Sequence, residues 1–222
     1  VFLRLENDIL MENNEFSNVF SRLSGGMVYS DESNNIIIRN SNISNIYSVY
    51  TGGALYCGDH NNIIIERNSL KNLTSQLNAG TLFLGLNNSV LFTNFKLKAS
   101  YSIWEGGFIF ASEKNTVNIS ESEFYLVGSL DEGAISYLLQ DNTFYLSSSV
   151  IEHTYALAGT ILFASMGNRI FYSNNTVFGF HSTLEGRFAI IYKDNNLKVH
   201  NTTFEYSVVL AEEILFSRAA KE

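Results

Sequence analysis

Three carboxylates, Glu105, Asp131 and Glu132, are the side chains whose type and spacing could do chemistry. Glu105 and Asp131 lie 26 residues apart, at matching places in two successive sequence repeats. In a chain that coils once per repeat they would stand roughly 5 Å apart, inside the range of the carboxylate pair of a retaining glycosidase. Glu132 adjoins them, and its position recurs as Glu185 and Glu212. No Arg or Lys recurs beside them to bind an acidic sugar, and acidic residues are common at solvated turns. The same oxygen-rich turns are also of the kind that binds Ca²⁺. No catalytic residue, metal ligand or cofactor is assigned.

Other reactive residue types give less. His60, His153, His181 and His200 fall at four different offsets within the repeat, so they form no ladder, and no H-E-x-x-H is present. Cys57, the single cysteine, alternates with aliphatic residues and reads as a buried, inert thiol. One cysteine excludes a disulfide framework and a cysteine-based zinc site. The glycines form neither G-x-G-x-x-G nor G-x-x-x-x-G-K, so phosphate binding has no support. A formal charge of −8, from 14 basic and 22 acidic residues, argues against nucleic acid or an anionic membrane as partner.

The elements that must position these residues are set by a repeat. Asn7, Asn34, Asn61, Asn88, Asn115, Asn142, Asn168 and Asn195 recur at steps of 27 or 26 residues, and Gly26, Gly53, Gly80, Gly107, Gly133, Gly159 and Gly186 run in step with them. The second, fourth and ninth residues after each Asn are apolar throughout, as in Ile36, Ile38 and Ile43. Positions two and four share one face of a strand. Asn, Ser, Gly, Asp and Glu between them are turn residues. The 222 residues contain no proline, which suits a chain whose backbone N–H groups must donate to neighbouring strands. These features predict an all-β fold: a right-handed, single-stranded parallel β-helix of about eight coils with three short strands per coil. Residues 1–217 are expected to form one continuous solenoid and 218–222 its end. The repeat is already under way at Val1, which is not an initiating Met, so the chain reads as a segment of a longer protein.

Within this frame the Asn residues predict a structural ladder, each side-chain amide bonding its counterpart one coil away. The glycines are expected at a sharp corner with φ above zero. Three residues past them come Tyr29, Tyr56, Phe83 and Phe110 on four consecutive coils, then Ser136, Leu162, Ala189 and Phe216, with Phe2 preceding them in the incomplete first coil. If the aliphatic column beside these rings points inward, alternation turns the rings outward; with the phase reversed, the rings belong to the core. Met27, Ala54, Thr81 and Phe108 are expected on the same outer face, making an apolar interface strip. Asn-x-Ser/Thr sequons at Asn42, Asn72, Asn87, Asn118, Asn174 and Asn201 permit glycosylation in a secretory compartment.

The run GGALY at Gly52–Tyr56, the N-T-T-F at Asn201–Phe204 and the 27-residue spacing together resemble the repeats of right-handed parallel β-helix proteins, especially polymorphic outer membrane protein adhesins and large surface proteins of ciliated protists. The resemblance implies the fold. For function it is broad, since the same solenoid carries pectin-degrading enzymes, phage tailspikes and adhesins. The reading is a non-enzymatic structural or adhesive segment of an extracellular or cell-surface protein, a rigid rod or filament-building unit with a lateral apolar interface. Its expected partners are other copies of itself or other segments of the same protein, with glycans as a further class. Neither nucleic acid nor direct membrane insertion is expected. The alternatives are a carbohydrate-active enzyme using Glu105, Asp131 and Glu132, and a module stacking sugars on Tyr29 and Tyr56.

Overall fold

A computed structural model describes residues 1–184 and 188–205 and the backbone of 215–217. The regular elements of the described residues are all strands, and every pairing between them is parallel and links one coil to the next. Three sheets result. The first contains Val28–Glu32, Leu55–Asp59 and Leu82–Leu86, the second Asn35–Arg39, Asn62–Glu66 and Ser89–Thr93, and the third Asn42–Ser48, Ser69–Ser75 and Lys96–Ser102. Eight strands in the second sheet are joined by seven steps of one turn each, close to the eight coils expected. The fold is the parallel β-helix that the periodicity predicts.

Repetition in sequence becomes register in space. Ile36 pairs Ile63, Val90 pairs Val117, and Leu55 pairs Leu82, so each apolar column is a continuous buried row. The rows meet in one core that includes Val28, Ile36, Ile43, Phe92, Phe108 and Phe124. Burying a side chain of this size contributes about 1.5–3 kcal/mol. Cys57 is fully buried in that core, and burial pushes its thiol up to about 12. A thiol held protonated there is not an activated nucleophile at neutral pH. Among the described residues no helix is long and apolar enough to cross a membrane.

The corners explain the polar columns. Each coil turns by placing single residues in the left-handed region: Glu6, Ser33, His60 and Asn87 lead the first corner, while Asn13, Asn40, Arg67 and Asn94 lead the second. Asparagine tolerates this conformation better than other residues with a Cβ. Next to the first of these columns sits the predicted ladder. Asn61, Asn88 and Asn115 are at most 2% exposed. The Asn115 Oδ1 accepts the backbone N–H of Asn88 at 2.8 Å and its Nδ2 at 3.0 Å. The Asn115 Nδ2 in turn donates to Asn142 Oδ1 at 3.1 Å and to the carbonyl of Gly85 at 2.8 Å. Each rung thus ties three coils. Asn7 closes the row exposed at one end, and the row continues through Asn34, Asn142, Asn168 and Asn195.

The second corner carries a ladder that the sequence reading missed. Ser41, Asn68, Ser122, Ser149 and Asn175 are buried seven residues after the corresponding Asn, and they accept backbone N–H groups from the previous coil, as in Ser41 N to Asn68 Oδ1 at 2.8 Å. A fixed offset was available as a signal, but the residue type alternates and Phe95 interrupts the row.

The glycine column needs correction. Left-handed φ falls at Gly25, Gly52, Ala79, Gly106, Gly133 and Gly159. Gly26, Gly53, Gly80 and Gly107 form the next column, and their need for glycine is steric: a Cβ on Gly53 would meet the Gly80 carbonyl oxygen at 1.9 Å. The sequence anchor passes from one column to the other between Gly107 and Gly133. Pairing shows no shortening there, since Ile109 faces Ser136 and Phe110 faces Tyr137. Gly186 lies outside the described residues.

Candidate functional site

In the strand Val28–Glu32, Val28 and Ser30 are buried while Tyr29 between them is half-buried, so the ring stands on the outer face of the first sheet. Tyr56 and Phe83 repeat this. Phe2 heads the row, and the corrected register adds Tyr137 and Phe163, so the rings number seven: Phe2, Tyr29, Tyr56, Phe83, Phe110, Tyr137 and Phe163. Their successive centroids lie between 4.5 and 5.2 Å apart, with interplanar angles of 11° or less. Ser136, Leu162 and Ala189, expected in this row, belong instead to the buried row of Val28. Phe216 pairs Ile190 through its backbone.

Ring faces in this stack cover one another, and the edges are what the protein presents outward. Sheet geometry dictates the arrangement, because a strand spacing near 4.8 Å is also a comfortable offset-stacking distance. Burial raises the phenol pKa of Tyr29 and Tyr56, with Asp31 and Asp59 adding to the shift at Tyr56. Toward the far end the stack is covered within the chain: Phe163 packs with Ala158, Ile190, Tyr137 and Tyr192. The stretch from Phe2 to Phe83 is more open.

Met27, Ala54, Thr81 and Phe108 do not join the strip. All four are at most 4% exposed, and Met27, Ala54 and Phe108 lie in the main core. The strands begin one residue later, at Val28, Leu55, Leu82 and Ile109, so alternation does not extend back across the corner and two successive side chains turn inward. Thr81 satisfies its hydroxyl against Ser100 Oγ at 2.8 Å.

A third corner precedes this sheet and supplies a surface that the sequence reading also missed. Backbone hydrogen bonds stack Leu77 on Tyr50, Trp104 on Leu77, Asp131 on Trp104, Leu157 on Asp131 and Leu184 on Leu157. Tyr50, Trp104, Leu157 and Leu184 are exposed, as is Leu23 at the near end. The apolar row has no alternation partner in sequence, which is why strand periodicity hides it.

The acidic residues sit within this corner. The Gly106 N–H donates to the carbonyl of Glu132, the slanted bond of a parallel pair in which Glu105 and Glu132 share a column, while Asp131 stacks over Trp104. The expected alignment of Glu105 with Asp131 came from the same glycine slip. Partial burial and the charges of Asp131 and Glu105 push the Glu132 carboxyl up to about 7, and burial with Asp131 raises Glu105. The same carboxylates add to the shift at Tyr137, which places them beside the aromatic stack. Glu132 can hold a proton near neutrality. The surface depressions at Phe2–Tyr29–Tyr50 and at Lys71–Lys98–Tyr125 do not include these carboxylates. Glu185 and Glu212 lie outside the described residues.

Among the described residues no group of three or more His, Cys, Asp and Glu stands close enough to hold a metal ion. His60 is a left-handed corner residue 3.9 Å from Glu32, and His153 packs edge-on against Tyr125. Of the sequon residues, Asn72, Asn87, Asn174 and Asn201 occupy left-handed positions, which favour asparagine for backbone reasons. Asn42 begins a strand of the third sheet and is exposed; Asn118 lies mid-strand in the second sheet, half-buried. Asn72 Nδ2 bonds Asn45 Oδ1, and Asn201 Nδ2 bonds Asn174 Oδ1, both at 2.8 Å. Neither a family model nor a curated protein nor a solved structure matches the chain.

Proposed function

We propose that the chain is a non-enzymatic β-helical rod of an extracellular or cell-surface protein, which associates laterally through the face formed by the aromatic stack and the third corner. One observation carries the reading: a row of stacked rings runs along the outer face of the first sheet, more open from Phe2 to Phe83 and buried at Phe110, predicted as interface, and at Phe163, beside an exposed apolar row. Apolar surface this extended on a soluble protein marks an interface. A rigid solenoid presents such a surface as a straight strip, with side chains repeating about every 4.8 Å. Sugar stacking on Tyr29 and Tyr56 is less well supported, because a pyranose needs an open ring face and these faces are filled by neighbouring rings.

The test is the double substitution Tyr56→Ser and Phe83→Ser, with association followed by sedimentation velocity and folding by circular dichroism. Association should weaken while the β-sheet spectrum is kept. Association unchanged by the double substitution defeats the lateral-interface reading.

A further inference from the structure

The face just described leaves its charges unmatched in a pattern that suggests its occupant. Arg22 is exposed beside Leu23 at the first coil and has no acidic partner among the described residues. At the fifth coil Asp131 and Glu132, with Glu105 one coil before, have no basic partner among the described residues. Both groups belong to the third corner, separated by the row Leu23, Tyr50, Leu77 and Trp104. Four coil steps between them span about 19 Å. An apolar row with a cation at one end and carboxylates at the other is self-complementary when a copy of it is reversed.

Resting on the lateral-interface reading, we propose that the partner on this face is a second copy of the chain, antiparallel to the first and related to it by a two-fold axis at Leu77. In that register Leu77 meets Leu77, Tyr50 meets Trp104 and Leu23 meets Asp131, which brings the adjacent Arg22 of each copy to Asp131 and Glu132 of the other. The more open part of the aromatic stack, Phe2 to Phe83, lies within the overlap. A parallel arrangement in the same register would set carboxylates against carboxylates, which is repulsive.

The experiment compares the chain with Arg22→Glu, with Glu132→Lys, and with an equimolar mixture of the two variants, by sedimentation velocity over a concentration series. Both substitutions fall on exposed or half-exposed corner side chains, and circular dichroism checks their folding. The unsubstituted chain should dimerise, and each single variant should associate roughly tenfold or more weakly, since two symmetry-related pairs are lost per dimer. Mixing should restore association, because the introduced carboxylate then faces the introduced ammonium while the native pair survives at the other contact. Leu77→Lys, which sets two like charges against each other on the axis, is a third variant and should also prevent dimerisation. An unsubstituted chain that stays monomeric overturns the lateral-interface reading itself. Association that is insensitive to these substitutions, or a mixture no tighter than its components, overturns this register and leaves the role of the face standing.

Discussion

Replacing Asn115 by Leu keeps the side-chain volume close to native and removes the hydrogen bonds of one rung in the middle of the ladder. The substitution deletes the acceptor used by the backbone N–H of Asn88 at 2.8 Å and the donor that reaches the Gly85 carbonyl at 2.8 Å. Neighbouring groups are partly rescued: Asn88 Nδ2 keeps the Gly58 carbonyl at 2.7 Å, and Asn142 Oδ1 keeps the backbone N–H of residue 115 at 2.9 Å. One buried backbone donor and one carbonyl are left short. At about 1–3 kcal/mol for a buried orphan, and less for a carbonyl with a second lone pair, the expected loss is about 2–4 kcal/mol. For a chain of this size that lowers the melting temperature by on the order of 10 °C. Asn62→Ala is the control: Asn62 is exposed, makes no side-chain hydrogen bond and should change stability by no more than about 0.5 kcal/mol. Thermal and urea melts followed by circular dichroism measure both. Equal shifts for Asn115→Leu and Asn62→Ala would refute the structural role of the ladder.

Two further outcomes are expected. Gly53→Ala forces a methyl against the carbonyls of Gly80 at 1.9 Å and Thr74 at 2.9 Å, neither of which can retreat without breaking inter-coil pairing. A loss of about 3 kcal/mol in urea unfolding is expected, and a shift under 1 kcal/mol would show that the corner can relax. The third outcome concerns Glu132, whose folded pKa of about 7 lies above its ordinary 4.5. Between those values the folded chain binds more protons than the unfolded one, so this contribution to stability is complete at the acid end and is lost as pH rises toward 7. Melting temperature should therefore fall between about pH 5 and pH 8, and Glu132→Gln should flatten that decline; an unchanged slope in the variant would contradict it.

The fold was legible because a solenoid writes its geometry directly into spacing. One Asn and three apolar residues at constant offsets suffice to fix strands, register and core, and Ile36, Ile38 and Ile43 lie where the period puts them. What the spacing could not separate were two adjacent glycine columns selected for different reasons, one by φ and one by close approach of backbones. That ambiguity hid Tyr137 and Phe163 from the aromatic row and moved Asp131 into the wrong column. The third-corner row was illegible for another cause. Alternation describes strands, and Leu77 and Trp104 stand on a turn where no period-2 rule assigns a face. Asparagine abundance is explained by the backbone, since nine of the 26 lie at positive φ and eight more form the first ladder.

Only one leg of the coil changes length. From Asn7 to Asn195 each ladder residue is followed seven places later by the second-corner residue, buried from Ser41 to Asn175 and more open at Asn14 and Thr202 at the two ends. From there to the residue of the next strand that pairs in the Val28 row is 14 places, as in Asn14 to Val28, except for 13 from Ser149 to Leu162 and from Thr202 to Leu215, whose backbone pairs Ala189. Pairing keeps a step of 27 at Gly128 with Tyr155 and has fallen to 26 at Glu132 with Ala158. The missing residue is therefore taken out of the third corner, while the two laddered corners keep their length. For anyone grafting a peptide onto this scaffold, the third corner is the splice point that leaves every ladder in phase. It is also the edge that carries the proposed contact between copies, so an insertion there will alter how the rods assemble before it alters how they fold.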